Sequence, residues 1–257
     1  MSLSIPEIEK YTRDGFLVVP DLLSPEFVEA LAAQARQLLN EASGLDRSDR
    51  FIMGRLPGQL GAVQAEPQLA ELAQQILGSD LALYLSRLLV KDRRWNGDVA
   101  PHQDMPYFHG GNRKLAIFIP LCPVGPEAGG LRVLAGSHRY GNVGIRGTLQ
   151  PQAFSGLRDE LPLLSIGDVL LMDFLTWHYS EENRSCADRT LVQLVYQPAT
   201  DGSYDSRFLD RPILVRGAWR TEAFLPYGKG IVPDAQVPAT RQPTEASARW
   251  WRRWRAG

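Results

Sequence analysis

The residues best suited to chemistry are His102-Gln103-Asp104, an imidazole and a carboxylate two positions apart. Side chains alternate across a β-strand, so such a pair can share one face and supply two neighbouring donors to a metal. With a second histidine from elsewhere it would form a 2-His-1-carboxylate triad, the donor set that leaves open positions on Fe(II) for a co-substrate and O2. Alone, the pair reads equally well as a surface hydrogen bond.

The chain holds three further histidines. His109 stands beside Gly110-Gly111, on a loop leaving the H-x-D segment, where it could touch substrate or face solvent. His138 lies in the turn-like Ala135-Gly136-Ser137-His138-Arg139, a setting for a backbone hydrogen bond. His178 follows the apolar run Val169–Phe174, so a strand delivers it to the interior or mouth of a barrel. It is the best third ligand on local context. Arg189 then opens the β-type run ending at Tyr196, and antiparallel pairing would carry it back towards the metal. Iron dioxygenases of this kind commonly use 2-oxoglutarate, whose far carboxylate needs a cation. Arginine suits it, with a planar fork that stays charged when desolvated. Ser180 could add a hydroxyl to the same carboxylate, and an ion pair of Arg189 with Asp188 or Glu182 is the alternative.

The elements that must position these residues divide the chain unevenly. Residues 5–14 read as a short helix closed by Gly15, and Phe16–Val19 as a strand stopped by Pro20. Ser24-Pro25 is an N-cap and first helical residue, opening a helix to about Glu41 with Phe27, Val28, Leu31, Ala35, Leu38 and Leu39 on one face. Residues 43–64 are rich in glycine and read mostly as loop. A second helix spans Pro67–Leu77 and ends at Gly78. Strands follow at Leu81–Val90, Leu115–Leu121, Leu131–Leu134, Leu163–Ile166, Val169–Phe174 and Thr190–Tyr196. Helices leading into many short strands predict a mainly β fold with flanking helices, a sandwich or barrel backed by a helical layer. The expected organisation is one domain over 1–257: helical layer to about 80, β core at about 81–198, wrapping segment at about 199–257. Within the last, 231–244 reads as extended, and Trp250 and Trp254, one helical turn apart, as a terminal helix docked on the core.

Composition narrows the partners. A net charge of −1 over 257 residues gives no general attraction to nucleic acid or anionic membrane. The polar N-terminus predicts no signal peptide, and no apolar run approaches membrane-spanning length. Cys122 and Cys186 read as reduced thiols, so the expectation is a cytoplasmic protein. The sequence sets no oligomeric state.

Together these segments resemble the phytanoyl-CoA dioxygenase-like (PhyH) family of Fe(II)/2-oxoglutarate oxygenases, from about Tyr11 to Pro198. The carriers are Tyr11-Thr12-Arg13-Asp14-Gly15-Phe16, His102-Gln103-Asp104 with Tyr107, Gly129–His138 with Ala135 where proline is usual, Gly167-Asp168-Val169, and His178-x-Ser180-x-x-Asn183-x-Ser185-x-x-x-Arg189. The resemblance implies a double-stranded β-helix (jelly-roll) core, Fe(II) on His102, Asp104 and His178, and 2-oxoglutarate on Arg189 and Ser180. Phe118 stands where the family often has tryptophan against the co-substrate. Arg87, at another position near 2-oxoglutarate, is a departure that either reaches substrate or points outward. Asp104 is retained, which disfavours halogenation. The implied reaction is oxidation of a small organic molecule with O2 and 2-oxoglutarate, with hydroxylation first and epimerisation, desaturation, cyclisation or non-catalytic metal binding as alternatives. Tyr107, Arg87, Arg132 and Arg207 are possible substrate contacts.

Overall fold

A computed structural model describes residues 2–41, 47–48, 51–92, 96–143 and 155–220. The expectations for 231–244 and for Trp250 and Trp254 lie outside the described residues. Strand formation dominates, as the many short apolar runs require. The strands are β1 (Phe16–Val19), β2 (Arg47–Ser48), β3 (Phe51–Ile52), β4 (Leu81–Lys91), β5 (Val99–His102), β6 (Leu115–Pro120), β7 (Leu131–Ala135), β8 (Arg158–Glu160), β9 (Val169–Asp173), β10 (His178–Ser180), β11 (Arg189–Pro198) and β12 (Ile213–Arg216). The helices are α1 (Ile5–Asp14), α2 (Pro25–Asn40), α3 (Gly58–Ala62) and α4 (Pro67–Leu77).

Two antiparallel sheets make a jelly roll. The major sheet runs β1-β9-β6-β11-β4-β3-β2, with β12 also paired to β4; the minor sheet runs β5-β10-β7-β8. Alternation along the strands sorts the apolar side chains into two clusters. Leu83, Ile117, Ile119, Val192, Leu194 and Tyr196 face outward and meet the buried stripes of α2 (Val28, Leu31, Ala35) and α4 (Leu69, Leu72, Leu77). Phe118, Leu170, Met172, Leu191 and Val195 face inward and meet Leu131 and Val133 of the minor sheet. The helices thus seal one face of the major sheet, and the other faces the space between the sheets, where a site can form.

Both long helices start as their sequences demand. The Ser24 side chain accepts from the Phe27 amide at 3.2 Å with Pro25 behind it, and α1 carries a capping box between Ser4 and Glu7. α1 ends at Gly15, whose φ of 80° is the left-handed conformation that glycine reaches without penalty. A side chain there would also collide with its neighbours, because an added Cβ falls 2.3 Å from His138 Nδ1 and 2.6 Å from Thr176 Oγ1.

Two expectations need correction, and one strand was not foreseen. Leu163–Ile166 forms no strand, contributing only a bridge from Leu164 to Val124, because the proline and glycine around it leave too short a run to pair. Residues 51–65 are not mostly loop: β3, α3 and a 3-10 turn at Val63–Ala65 occupy them. β8, a charged edge strand, carries no apolar alternation from which it could have been read. After turns at Pro198–Asp201 and Asp205–Leu209, Ile213–Arg216 adds a strand to β4.

Candidate metal centre

The two histidines meet across the minor sheet. β10 pairs antiparallel with β5, placing His178 directly opposite His102, and their rings lie 4.3 Å apart between centroids. Asp104 does not share the strand with His102, as alternation had suggested. β5 ends at His102, and Asp104 takes a helical conformation (φ −72°, ψ −39°) at the head of a 3-10 turn over Met105–Tyr107. The turn, rather than the strand period, returns its carboxylate to the imidazoles. Asp104 Oδ1 lies 3.7 Å from His102 Nε2 and 4.0 Å from His178 Nε2. The three side chains present donor atoms within 4.8 Å of one another, and among the described residues they are the one group of three or more His, Cys, Asp or Glu side chains placed to hold a metal ion.

The surroundings fix which atoms face inward. His102 Nδ1 is 2.9 Å from the Ala100 carbonyl, and His178 Nδ1 is 3.0 Å from the Thr176 carbonyl. A carbonyl can only accept, so each Nδ1 carries the proton and each Nε2 offers its lone pair. Burial disfavours the charged form of His178 and brings its pKa down to about 4, keeping the ring neutral as a ligand must be. Burial works to raise the Asp104 carboxyl, but His102, His178 and Arg87 together hold it well below the usual carboxylate range. Two imidazoles with inward-facing Nε2 atoms and one converging carboxylate are the donor set of a non-haem iron centre.

Residues far apart in sequence hold this geometry. The Gln103 side chain, fully buried, donates to the carbonyls of Gly141 (2.7 Å) and Leu175 (2.6 Å), fastening the H-x-D segment to the loop before β10. Ser137 Oγ accepts from the Trp177 amide at 2.8 Å, setting the residue before His178. Gly15 O accepts from the Asp173 amide at 2.8 Å and from Thr176 Oγ1 at 2.9 Å, so the N-terminal motif braces the same loop. His138 binds backbone as expected, with Nε2 3.0 Å from the Thr12 carbonyl, and His109 is exposed.

Arg189 lies on the major sheet, opposite β10. Antiparallel pairing does not carry it back to the histidines, because β11 pairs with β4 and β6. Alternation does the work: Arg189, Leu191 and Gln193 share one face, and Gln193 donates to Asp104 Oδ2 at 3.3 Å, so that face is the inner one. Arg189 is 4 % exposed and its Nε finds no hydrogen-bond partner. The alternative ion pairs with Asp188 or Glu182 do not form among the described residues. Burial brings its pKa from 12.5 down to about 10, so the guanidinium stays charged at neutral pH, with no anion paired to it among the described residues. This is the setting of a cation whose partner is a ligand, and a dicarboxylate bound at the triad would supply the missing charge.

Ser180 shares the inner face with His178 on β10, and Phe118 pairs with Gln193 on β6, so both line the space between triad and arginine. Arg87 points inward. It is 6 % exposed, its Nε donates to Gln193 Oε1 at 2.6 Å, and its guanidinium lies 4.4 Å from the Phe51 ring centroid and 5.6 Å from those of Phe108 and Phe208. Arg207, paired with Asp205 at 2.6 Å, joins this cluster, and Tyr107 stands edge-on to His102 at 6.2 Å. Arg132 faces away from the triad: on β7 it alternates with Leu131 and Val133 and binds Asp159 and Tyr179 on the outer face. Sequence reasoning missed Gln103 and Gln193, since an isolated glutamine carries no signal until its fold neighbours are known.

Fold, triad and buried arginine define a class, the Fe(II)/2-oxoglutarate-dependent dioxygenases on a double-stranded β-helix. The family model described as Phytanoyl-CoA dioxygenase (PhyH) matches residues 11–191. The chain belongs to the PhyH family, and is an Fe(II)/2-oxoglutarate-dependent dioxygenase. It is similar to the ectoine dioxygenase of Bordetella bronchiseptica, 27% identical over 76% of this chain and 75% of that protein. Among solved structures it resembles EctD from S. alaskensis with 2-oxoglutarate and 5-hydroxyectoine (TM-score 0.71, 24% identity, 84% of each chain covered). It also resembles the nogalamycin-biosynthesis epimerase SnoN in complex with Fe3+, alpha ketoglutarate and nogalamycin RO (TM-score 0.67, 24% identity, 78% of this chain and 86% of that one).

Proposed function

We propose that His102, Asp104 and His178 hold Fe(II), that Arg189 and Ser180 take the far carboxylate of 2-oxoglutarate, and that the enzyme hydroxylates a small organic molecule. The observation that carries this is the Arg189 guanidinium, buried, charged and with no ion pair among the described residues, on the inner face of the sheet opposite the triad. Iron and 2-oxoglutarate supply the oxidising chemistry: O2 and 2-oxoglutarate become succinate and CO2, and one oxygen atom enters a substrate C–H bond.

The chain's own residues do the rest. The two Nε2 atoms and Asp104 Oδ1 would hold the metal, because the Ala100 and Thr176 carbonyls hold the imidazole protons on the far nitrogens. Arg189 would set the direction of the co-substrate, and Phe118, opposite Gln193 in the ladder, would offer an apolar wall with no polar group. Phe51, Phe108, Phe208 and Tyr107 wall the approach and keep bulk water from the reacting atoms. The curated relatives are named for ectoine, so a compact polar molecule of that kind heads the substrate panel.

A screen of small polar molecules with the iron-loaded protein, scored by succinate release with products identified by mass spectrometry, tests this. A product heavier than its substrate by one oxygen atom is expected. A product of unchanged mass would give the site to epimerisation, and one lighter by two hydrogens to desaturation or cyclisation. An iron-loaded protein that binds no 2-oxoglutarate would remove the reading altogether.

A further inference from the structure

Gln193 and Arg87 lie outside the donor set yet are tied to it. They face each other across the β4–β11 ladder and are 1 % and 6 % exposed. Gln193 Nε2 donates to Asp104 Oδ2 at 3.3 Å, while its Oε1 accepts from Arg87 Nε at 2.6 Å. An ionised carboxylate only accepts and a guanidinium only donates, so one orientation of the Gln193 amide satisfies both neighbours. The guanidinium is itself held by the rings of Phe51, Phe108 and Phe208. Asp104, by contrast, has left its strand, and the ladder no longer dictates where its side chain points.

We propose that Arg87 and Gln193 form a positioning relay for Asp104: the aromatic wall fixes Arg87, Arg87 fixes the Gln193 amide, and the amide fixes the carboxylate. With Oδ2 held by Gln193, Oδ1 is the oxygen left facing His102 Nε2 and His178 Nε2. Without the relay, the carboxylate would have to surrender its rotational freedom when metal binds and could present either oxygen or both. Gln193 meets the donor set at Asp104 and Arg87 meets it through Gln193, so both act through Asp104. The relay rests on the reading of the triad as an iron site.

The test uses metal-free full-length protein and anaerobic calorimetric titration with Fe(II), for the parent, Gln193→Met, Arg87→Met, the double variant and Asp104→Ala. Thermal melts of each metal-free protein are recorded alongside. Loss of a group that orients a metal ligand lowers metal affinity by about 10–100-fold, and each single variant is expected to show such a loss at temperatures where it remains folded. The double variant is expected to lose no more than Gln193→Met alone, since Arg87 reaches Asp104 through Gln193. If Arg87→Met does not fold, Arg87→Gln replaces it; that side chain still bonds Gln193 but no longer dictates its amide orientation, and a smaller loss is expected. Parent-like Fe(II) affinity in either single variant, or losses that multiply in the double, would overturn the relay while Asp104→Ala still abolished binding. A parent that bound no Fe(II), or an Asp104→Ala that bound it normally, would instead overturn the iron-site reading.

Discussion

Replacing Arg189 by methionine should separate ligand binding from folding with opposite signs. In the ligand-free protein the guanidinium is buried with no counter-ion among the described residues, and burial lowers its pKa from 12.5 to about 10, a sign of what keeping it charged there costs. At about 1.4 kcal/mol per tenfold change in proton affinity, that cost is about 3 kcal/mol. A 2-oxoglutarate carboxylate recovers it and adds charge-assisted hydrogen bonds. Truncating one partner of a buried charge pair costs about 2–5 kcal/mol of binding, so Arg189→Met should weaken 2-oxoglutarate by roughly 30- to 3,000-fold. The ligand-free variant should melt no lower than the parent, because an apolar chain of similar length relieves the unpaired charge. Thermal melts and calorimetry, each with and without 2-oxoglutarate on metal-loaded protein without O2, read both effects. A variant that binds 2-oxoglutarate within threefold of the parent would refute the reasoning, as would one destabilised without ligand, which would mean that Arg189 already has its partner in the fold.

Gly15→Ala should destabilise the protein by at least about 2 kcal/mol and lower metal affinity with it. A left-handed φ of 80° costs a non-glycine residue about 1–2 kcal/mol, and the added methyl drives into His138 and Thr176, next to the loop that carries His178; denaturant melts and Fe(II) titration check both. Asp14 sets an acid limit. Hydrogen bonds from Arg13, then from Lys10, hold its pKa at about 2 despite burial, with Arg158 adding its charge. Because the folded pKa is depressed, this contribution is present above about pH 4 and disappears as pH falls to 2; about 1–2 kcal/mol of stability should be lost across that window, and less in Asp14→Asn, by urea melts against pH.

The fold was legible wherever local pattern and tertiary demand agreed. α2 announced itself through Ser24-Pro25 and a stripe at helical spacing, and β4, β6, β9 and β11 through apolar runs buried on both faces. Leu163–Ile166 had the composition of a strand but pairs only through the single bridge from Leu164 to Val124, which no local pattern reveals. The triad could be named because its residue types are rare and chemically restricted, and its geometry still departed from the sequence logic when Asp104 proved to be carried by a turn. Arg189 was expected to reach the site by antiparallel pairing with the neighbouring strand, but β11 pairs with β4 and β6 and brings it in from the other sheet. Gln103 and Gln193 were invisible because their value lies wholly in partners 38 to 106 residues away.

The central claim is that the triad binds one iron and that this iron, with 2-oxoglutarate, carries the chemistry. Its most direct test is iron per chain and succinate formed from 2-oxoglutarate under O2, for the parent and for His102→Ala, Asp104→Ala and His178→Ala. The account predicts one iron per parent chain, succinate only when iron and 2-oxoglutarate are both present, and loss of both signals in each variant. Succinate production that survives removal of either histidine or of Asp104 would contradict it.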